Sequence, residues 1–597
     1  MLLSLLLGCP PKTPPPEITP KPPAYVVRDP QAVAGVSDRA LQELLDEHWA
    51  YTMEQFPTWS TSLGYNLYND QITDNSAEAL EARREAARTF LRKAEMLQTP
   101  LSAADSLTRD LFVLDLEQGM ATEVCAFSEW GASPRSNPLV DWNYLPELHQ
   151  VENIDDANNL VRRYKAIPDA IDQDIAQLTV GLGKGLVTNR ASLEKVAAQM
   201  RDGLAVPLED SPLYAPIAAE HPEWPQDARV RYQTALRDAL EKGIRPAMQR
   251  YLDFVEAELL PAARGDDAVG LAALPNGAAC YEGLVRSYTT LPLTADTLHQ
   301  MGLDELEKIH GEFREIGQRA LGTDDLQGIF ARLRTDESLY FETSEQVEEK
   351  AAEALGRAAE AMGAAFGRLP QAECVIRRVP EHEAPYTTIA YYRQPNPDGS
   401  KPGEYFVNVY APETRPRHEA EVLAFHESIP GHHLQIAISQ ELPELPAFRR
   451  HGGQTAFVEG WALYTERLSD EMGLYSRDLD RLGMLSFDAW RASRLVVDTG
   501  IHHLGWSRAQ AEAFMVDNTP LAENNIVNEV DRYINTPGQA LAYKVGQLTI
   551  WRLRREAEVS LGEAFVLSDF HDVVLGAGAV PLPILEARVK DWVTSLK

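Results

Sequence analysis

The stretch His426-Glu427-Ser428-Ile429-Pro430-Gly431-His432-His433-Leu434-Gln435 sets the expectation for both fold and function. Neutral imidazoles bind zinc, and a carboxylate beside the first histidine can take a proton from a water that the metal activates. In the usual His-Glu-x-x-His helix, the second ligand follows the first by four residues on the same face. Pro430 occupies that position here. His432, two residues further on, points about 120° away from His426 on an ideal helix.

A break in the helix would allow both histidines to bind one metal ion. Proline removes a backbone donor and glycine adopts unusual torsions, so Pro430-Gly431 can interrupt the helix and turn His432 back towards His426. The motif therefore predicts a zincin helix with a two-residue insertion. The competing interpretation is a solvated helix end followed by a Pro-Gly turn.

The composition restricts the class of protein and its partners. The 597 residues are 44% hydrophobic and 24% charged, which is ordinary for a soluble globular protein with a large core. The formal net charge of −33 argues against nucleic acid and anionic lipid surfaces as partners, because a polyanion repels both.

The amino terminus resembles that of a bacterial lipoprotein. Its apolar run is too short to span a bilayer, and Leu6-Leu7-Gly8-Cys9 resembles a lipobox, in which the cysteine becomes lipidated. A proline-rich tether follows. We predict a signal and tether over residues 1–24 and an exported lipoprotein, periplasmic or anchored to the outer membrane, that associates with membrane only through Cys9. The alternative is a disordered tail with a chance cysteine.

Three further cysteines are Cys125, Cys280 and Cys374. Their spacing matches no metal motif, and an oxidising compartment would permit one bridge plus one free thiol. The sequence does not select the pair.

The rest of the chain is predicted to be mainly α. Residues 77–97, 228–260, 295–320 and 344–366 repeat apolar side chains at intervals of three and four, with turn residues between them. We predict one helical catalytic domain over residues 25–597, with lobes of roughly 25–290 and 291–597.

A hairpin is predicted just before the zinc motif. Residues 386–392 and 405–410 are rich in aromatic and β-branched residues and flank a turn-rich connection. A strand beside a zincin helix can hold a peptide by edge pairing, so Phe406, Val407 and Asn408 are candidates for substrate binding. A purely structural hairpin is the alternative.

The helix after the motif offers a third ligand. Glu459 lies in an aromatic helix, where a carboxylate is costly to bury unless a cation meets it, and zinc is such a cation. Gly460 would allow a second helix to approach closely. Glu466 fits better as the acceptor for a ligand imidazole. Ordinary ion pairing to arginine is the alternative for both carboxylates.

Two later segments offer groups for an oxyanion. Asp498 precedes His502 by one helical turn and could fix its tautomer, so His502 could donate to a developing oxyanion. Thr536 and Pro537 predict the start of a helix that carries Tyr543, whose phenol could do the same. A structural Asp-His pair and core packing of the tyrosine are the alternatives.

These motifs together resemble a known bacterial family, the domain-of-unknown-function 885 proteins. The resemblance covers most of the chain after the tether, and it is carried by His426-Glu-x-x-Pro-Gly-His432-His433-x-Gln435, Glu459-Gly-Trp-Ala-x-Tyr464-x-Glu466, Asp498-Thr-Gly-x-His502, Arg532-Tyr533, Pro537-Gly-Gln-Ala-x-x-Tyr543-x-x-Gly546 and Phe570-His571-Asp572.

The resemblance implies a fold and a set of ligands. The fold would be similar to helical zinc peptidases of the thimet oligopeptidase, angiotensin-converting enzyme and thermostable carboxypeptidase groups. In those groups a Gly-His dipeptide ends the first motif and a glutamate on the following helix completes the site. Gly431-His432 matches that dipeptide, which favours His432 over His433 as second ligand.

We therefore predict a large two-lobed, zincin-like helical fold with a small antiparallel β element and a channel between the lobes. His426, His432 and Glu459 would bind Zn²⁺, leaving a fourth position for water. Glu427 would be the general base of peptide hydrolysis. The remaining candidates are Tyr543 and His502 for the oxyanion, and Asn408, Arg532 and His433 for substrate.

Two other functions remain open at this stage. One is a zinc amidase or esterase that acts on a non-peptide or cell-wall substrate. The other is a non-catalytic surface lipoprotein that binds a ligand, with a structural metal. A structural zinc usually has four protein ligands, which argues against the second.

Overall fold

The computed structural model describes residues 28–97, 100–381, 384, 388–396, 399 and 401–597. Most of these residues are helical and one small sheet accompanies them, so the prediction of a mainly α fold is confirmed. The predicted signal and tether, including Cys9, lie outside the described residues. Each described helix is too short or too polar to cross a bilayer. The division into two lobes remains a prediction.

The first half of the chain forms helices that begin at capping residues. Asp38 accepts a hydrogen bond from Leu41 N, and Asn153 forms a capping box with Asp156. The predicted helix over 228–260 is three α-helices joined by π turns, Leu240–Ile244 and Val255–Leu259. The helices are α1 (Arg39–Gln55), α2 (Pro57–Ser62), α3 (Ala77–Glu95), α4 (Ala103–Thr122), α5 (Pro138–Asn143), α6 (Leu145–Leu148), α7 (Ile154–Gly183), α8 (Arg190–Ala205), α9 (Ala215–Ala218), α10 (Gln226–Ala239), α11 (Arg245–Phe254), α12 (Leu260–Ala262) and α13 (Gly277–Thr289).

The second half carries the zinc motif and the helices around it. A 3₁₀ turn, Arg417–Glu419, follows Pro416 and leads into the first motif helix. The helices are α14 (Ala295–Ala320), α15 (Leu326–Thr335), α16 (Ser344–Ala365), α17 (Ala420–Glu427), α18 (His432–Glu441), α19 (Ala447–His451), α20 (Thr455–Glu471), α21 (Asp478–His502), α22 (Arg508–Asn518), α23 (Glu523–Asn535), α24 (Leu541–Leu561), α25 (Leu567–Leu575) and α26 (Leu582–Ser595).

Helix α21 passes through the centre of this half and is buried from residue 482 to 502. Helix α14 approaches it at Gly302, where an added methyl group would lie only 2.7 Å from Val496 Cγ2. In a helix that is buried on all sides, a charged side chain is stable only beside groups of opposite charge. Asp488 is such a case, because Lys544 Nζ and Arg467 Nη2 each lie 2.6 Å from its carboxylate.

The sheet has three strands in the order β1 (Cys374–Arg378), β3 (Gly403–Val407) and β2 (Ala390–Arg393). Strands β2 and β3 are antiparallel, which confirms the predicted hairpin, whereas β1 adds a parallel partner that was not predicted. Strand β3 is therefore central, and its backbone is paired on both sides. The expectation that Phe406 and Val407 hold a peptide by edge pairing is wrong for this reason.

A disulfide bond joins Cys125 to Cys280 and resolves the pairing that the sequence left open. Cys374 is the free thiol of the three and is partly buried. The bridge joins α13 to the 3₁₀ turn that follows α4, 155 residues earlier. It thereby ties two distant helices of the first half together.

Candidate metal centre

The helix break lies where the sequence predicted it. Helix α17 ends at Glu427 and α18 begins at His432, with a cis peptide bond between Ile429 and Pro430. A methyl group on Gly431 would lie 2.0 Å from the carbonyl oxygen of His426, so only glycine fits there. The buried Trp461 donates from Nε1 to the Pro430 carbonyl at 2.9 Å and fixes the break against α20.

The break brings together the three predicted ligands. Glu459 Oε2 lies 3.4 Å from His432 Nε2 and 3.8 Å from His426 Nε2, and one ligand atom from each residue fits within 4.8 Å of the others. A tetrahedral zinc ion with bonds near 2.1 Å requires ligand atoms about 3.4 Å apart. Glu459 is at about that distance from both histidines, and the whole set of ligand atoms extends to 4.8 Å.

The orientation of these groups also fits a shared cation. Glu459 Oε2 is buried and has no hydrogen-bond partner among the described residues, although His432 is within reach. Two groups that direct their lone pairs at one metal ion do not point at each other. In a direct hydrogen bond, by contrast, the His432 N–H would point at the Glu459 carboxylate oxygen. Burial opposes ionisation of Glu459, but the facing His432 and the charge of Arg532 hold its pKa below the ordinary value. The carboxylate is thus an anion available to a cation.

Glu466 fixes the orientation of His426 as predicted. His426 Nδ1 lies 2.7 Å from Glu466 Oε1, which leaves Nε2 directed at the candidate site. Burial, reinforced by the charges of His432 and Arg491, holds the pKa of His426 well below its ordinary value. The imidazole is therefore neutral, which is the form that binds metal ions.

Glu427 lies at the end of α17, directly after His426. Its side chain is partly buried, and burial raises the pKa of its carboxyl, although the nearby His432 partly offsets this effect. A raised pKa makes a carboxylate a better proton acceptor near neutral pH.

Two glycines bring Tyr543 to the same site. An added methyl group on Gly460 of α20 would lie 2.4 Å from Gly546 Cα of α24, so the two helices cross in backbone contact. Tyr543, one turn before Gly546, then reaches Glu459 and contributes to the lowered pKa of that carboxyl. Its hydroxyl accepts a hydrogen bond of 3.0 Å from Arg532 Nη2.

The predicted helix start at Pro537 is wrong. Helix α24 begins at Leu541, and residues 537–540 form a turn in which Gly538 has a φ of +81°. Gly538 N donates to both carboxylate oxygens of Asp498 at 3.1 Å.

His502 is not available to an oxyanion, so that expectation is corrected. Its Nδ1 accepts from Leu271 N at 3.1 Å and its Nε2 lies 2.9 Å from the carbonyl oxygen of Tyr533. Both ring nitrogens are thus used by the backbone, and the side chain is buried. Asp498 does not pair with it but accepts a hydrogen bond from the Tyr281 hydroxyl at 2.6 Å.

His433 and Asn408 also hold the structure together rather than face a substrate. His433 contacts the Tyr392 hydroxyl through Nδ1 and the Ala372 carbonyl through Nε2, both at 2.9 Å. Asn408 donates from Nδ2 to the carbonyls of Ala384 and Thr388. Their assignment to substrate binding is wrong because these buried polar groups are already paired. Among the substrate-binding candidates, Arg532 does reach the site.

Arg491 also belongs to this region, although none of the sequence motifs includes it. Its Nη2 lies 3.8 Å from Glu466 Oε1, beneath His426. The signal that could have identified it is the pair Arg491 and Arg494, three residues apart in the mostly apolar run 489–497, since buried charges demand a reason.

The fold and the cluster define a mainly helical protein with a candidate metal centre of two histidines and one glutamate. The chain belongs to the family described as "Bacterial protein of unknown function (DUF885)", which it matches over residues 57–589. No curated protein matches the sequence.

Two solved structures resemble nearly the whole chain. One, "the putative lipoprotein from Colwellia psychrerythraea", is 25% identical with a TM-score of 0.86, covering 93% of this chain and 99% of that chain. The other, "a putative lipoprotein of unknown function from Shewanella oneidensis", is 19% identical with a TM-score of 0.69, covering 92% and 98%. The second likeness concerns the fold alone.

Proposed function

We propose that this protein is a zinc-dependent hydrolase, a peptidase of zincin-like architecture. The observation that carries the proposal is the convergence of His426, His432 and Glu459, with Glu427 beside them. Three protein ligands are typical of catalytic zinc sites, which keep a fourth position open, whereas structural sites are usually closed by four. Thiolates are absent from this set of three, which also fits a hydrolytic site.

Each residue has a role that follows from its contacts. Zinc held by the three ligands would supply a Lewis acid that lowers the pKa of water to about 7. Glu427 takes the proton of the attacking water and returns it to the leaving amine. The Tyr543 hydroxyl accepts a hydrogen bond from Arg532 and faces Glu459, and its proton would turn from that carboxylate to the developing oxyanion. Glu466 keeps His426 in the tautomer that presents Nε2.

We also propose that the protein is exported and anchored through Cys9. The Cys125–Cys280 disulfide suits an oxidising compartment, and the similar structure from Colwellia psychrerythraea is described as a putative lipoprotein. A peptidase held at the membrane by a tether would act on peptides outside the cytoplasm.

The test measures metal content and turnover together. Freshly purified protein should contain one zinc per chain and cleave members of a mixed peptide library, and a chelator should remove both properties. Ester and muropeptide panels, tested beside the library, identify the substrate bond. Protein without zinc that also gains no activity when zinc is added would refute the proposal.

A pair of variants isolates the role of Glu427. Glu427→Gln should retain zinc, because Glu427 is not a ligand, and should abolish turnover. Glu444→Gln makes the same chemical change at an exposed carboxylate after α18 and should leave both zinc and turnover unchanged. Wild-type rates in Glu427→Gln would eliminate this residue as the base.

A further inference from the structure

Three arginines form a cluster beside the candidate metal centre. Arg491 and Arg494 project from α21, and Arg532 projects from α23. We call these three residues the arginine cluster. The ring of Tyr543 connects it to the metal centre, because the Arg494 guanidinium lies 4.3 Å from the ring centroid and Arg532 donates to the hydroxyl.

The cluster carries more positive than negative charge. Glu529 is shared, since its carboxylate oxygens lie 2.9 Å from Arg494 Nη2 and 3.6 Å from Arg532 Nη1. Arg491 has Glu466 at 3.8 Å, but that carboxylate also serves His426. Within ion-pairing distance, three guanidinium groups therefore share two carboxylates, while Glu459, whose pKa Arg532 lowers, lies further away and faces the metal site.

Several donors of the cluster lack acceptors. Arg491 Nε and Nη1 and Arg494 Nη1 are buried and, within the described part of the chain, have no hydrogen-bond partner. The two side chains are only 5% and 2% exposed. A guanidinium carries five N–H donors in a rigid fork, and leaving buried donors unpaired is costly. The surplus charge and the unpaired donors both favour an incoming anion.

The cluster is accessible at Arg532, whose side chain is 19% exposed. Arg135 approaches from the first half of the chain, where Gln199 Nε2 of α8 donates to the Pro134 carbonyl at 3.2 Å. Burial, together with the charges of Arg532 and Arg494, lowers the pKa of Arg135, as expected for a cation placed near other cations.

We propose that the arginine cluster binds a carboxylate of the substrate, with Arg532 in direct contact and the buried Arg491 and Arg494 compensating its charge. Arg532 Nη2 already donates to Gln539 Oε1 at 2.7 Å and to the Tyr543 hydroxyl at 3.0 Å, so a substrate carboxylate would receive a charge-assisted hydrogen bond from Nη1. This inference rests on the proposed hydrolase function and narrows its substrates to peptides with a free carboxyl terminus or an acidic side chain near the cleaved bond.

Three matched peptides test the proposal on the full-length, zinc-loaded protein. They share one cleavable sequence and end in a free carboxylate, in an amide, or in an amide with a glutamate beside the cleaved bond. Wild-type kcat/KM should be higher for a carboxylate-bearing peptide than for the plain amide. A preference for the peptide with a free carboxylate end would show that the cluster binds the carboxyl terminus. A preference for the amide with a glutamate would show that it binds an acidic side chain.

Two variants assign that preference to the cluster. Arg532→Gln also removes the hydrogen bond to Tyr543 and slows both reactions, so kcat/KM for the preferred acidic peptide should fall by about 10- to 100-fold more than kcat/KM for the plain amide. Lys195→Gln removes an exposed cation that pairs with Asp531 on α23, and it should leave the ratio unchanged. Thermal melting of each variant shows whether it is folded.

The outcomes separate this inference from the proposed function. Cleavage of all three peptides at equal rates would overturn the carboxylate site and leave the hydrolase standing. Without cleavage of any peptide, the proposed function falls, and binding of the three peptides to zinc-loaded protein decides the inference. A binding preference for carboxylate that Arg532→Gln removes supports the site. Equal binding, or acetate alone binding as tightly as the acidic peptide, overturns it.

Discussion

Replacing Glu466 tests whether His426 is held as a metal ligand. The hydrogen bond from His426 Nδ1 is 2.7 Å long, buried and accepted by a carboxylate. Loss of a group that hydrogen-bonds a ligand histidine typically costs about 10- to 100-fold in metal affinity. Glutamine keeps an acceptor oxygen of the same shape and loses only the charge, so Glu466→Gln should weaken zinc binding by about tenfold, or about 1.4 kcal/mol. Glu466→Leu also removes the acceptor and should approach about 100-fold.

The assay is competition for zinc with a chromophoric chelator of known affinity, at fixed pH. Glu471→Gln is the matched control, because it lies on the same helix with its side chain exposed and paired to Arg554. Unfolding curves of the metal-free proteins identify any variant that has lost its fold. If Glu466→Gln and Glu466→Leu both bind zinc as tightly as the control, Glu466 does not hold His426 as a metal ligand.

Three other substitutions have defined outcomes. Gly460→Ala places a methyl group 2.4 Å from Gly546 Cα, so α20 and α24 must separate, and urea unfolding should show a loss of about 1–3 kcal/mol. Unchanged stability would contradict the close crossing. Tyr543→Phe should keep its zinc and lose about 10²- to 10³-fold in kcat, and wild-type kcat would exclude an oxyanion role. Trp461→Phe removes the donor to the Pro430 carbonyl, which should cost about 1–3 kcal/mol and weaken zinc binding in chelator competition; equal zinc affinity would show that the break holds without it.

The features of the metal site that the sequence predicts correctly depend on residues close together in the chain. The Pro430-Gly431 break follows from residue types within two turns of His426, and the roles of Glu459 and Gly460 follow from the residues of their own helix. Glu466 was also predictable, because it lies two turns after Glu459 on the same helix. Such inferences depend on helix periodicity, which the sequence displays directly.

The features that the sequence does not predict depend on contacts between residues far apart in the chain. His502 is satisfied by Leu271, which is 231 residues away in the sequence, and no periodicity indicates that contact. Strand β1 joins the sheet ahead of the hairpin and makes β3 central. Arg494 meets Glu529 on another helix rather than the Asp498 that shares its face. A helical pattern identifies a buried face but not the element that covers it.

The most direct test of the metal centre is anomalous diffraction at the zinc absorption edge from crystals of the full chain grown with zinc. We expect one strong peak, about 2.0–2.2 Å from His426 Nε2, His432 Nε2 and a carboxylate oxygen of Glu459. A zinc peak on other residues, or none between these three in crystals of protein that holds one zinc per chain, would contradict it.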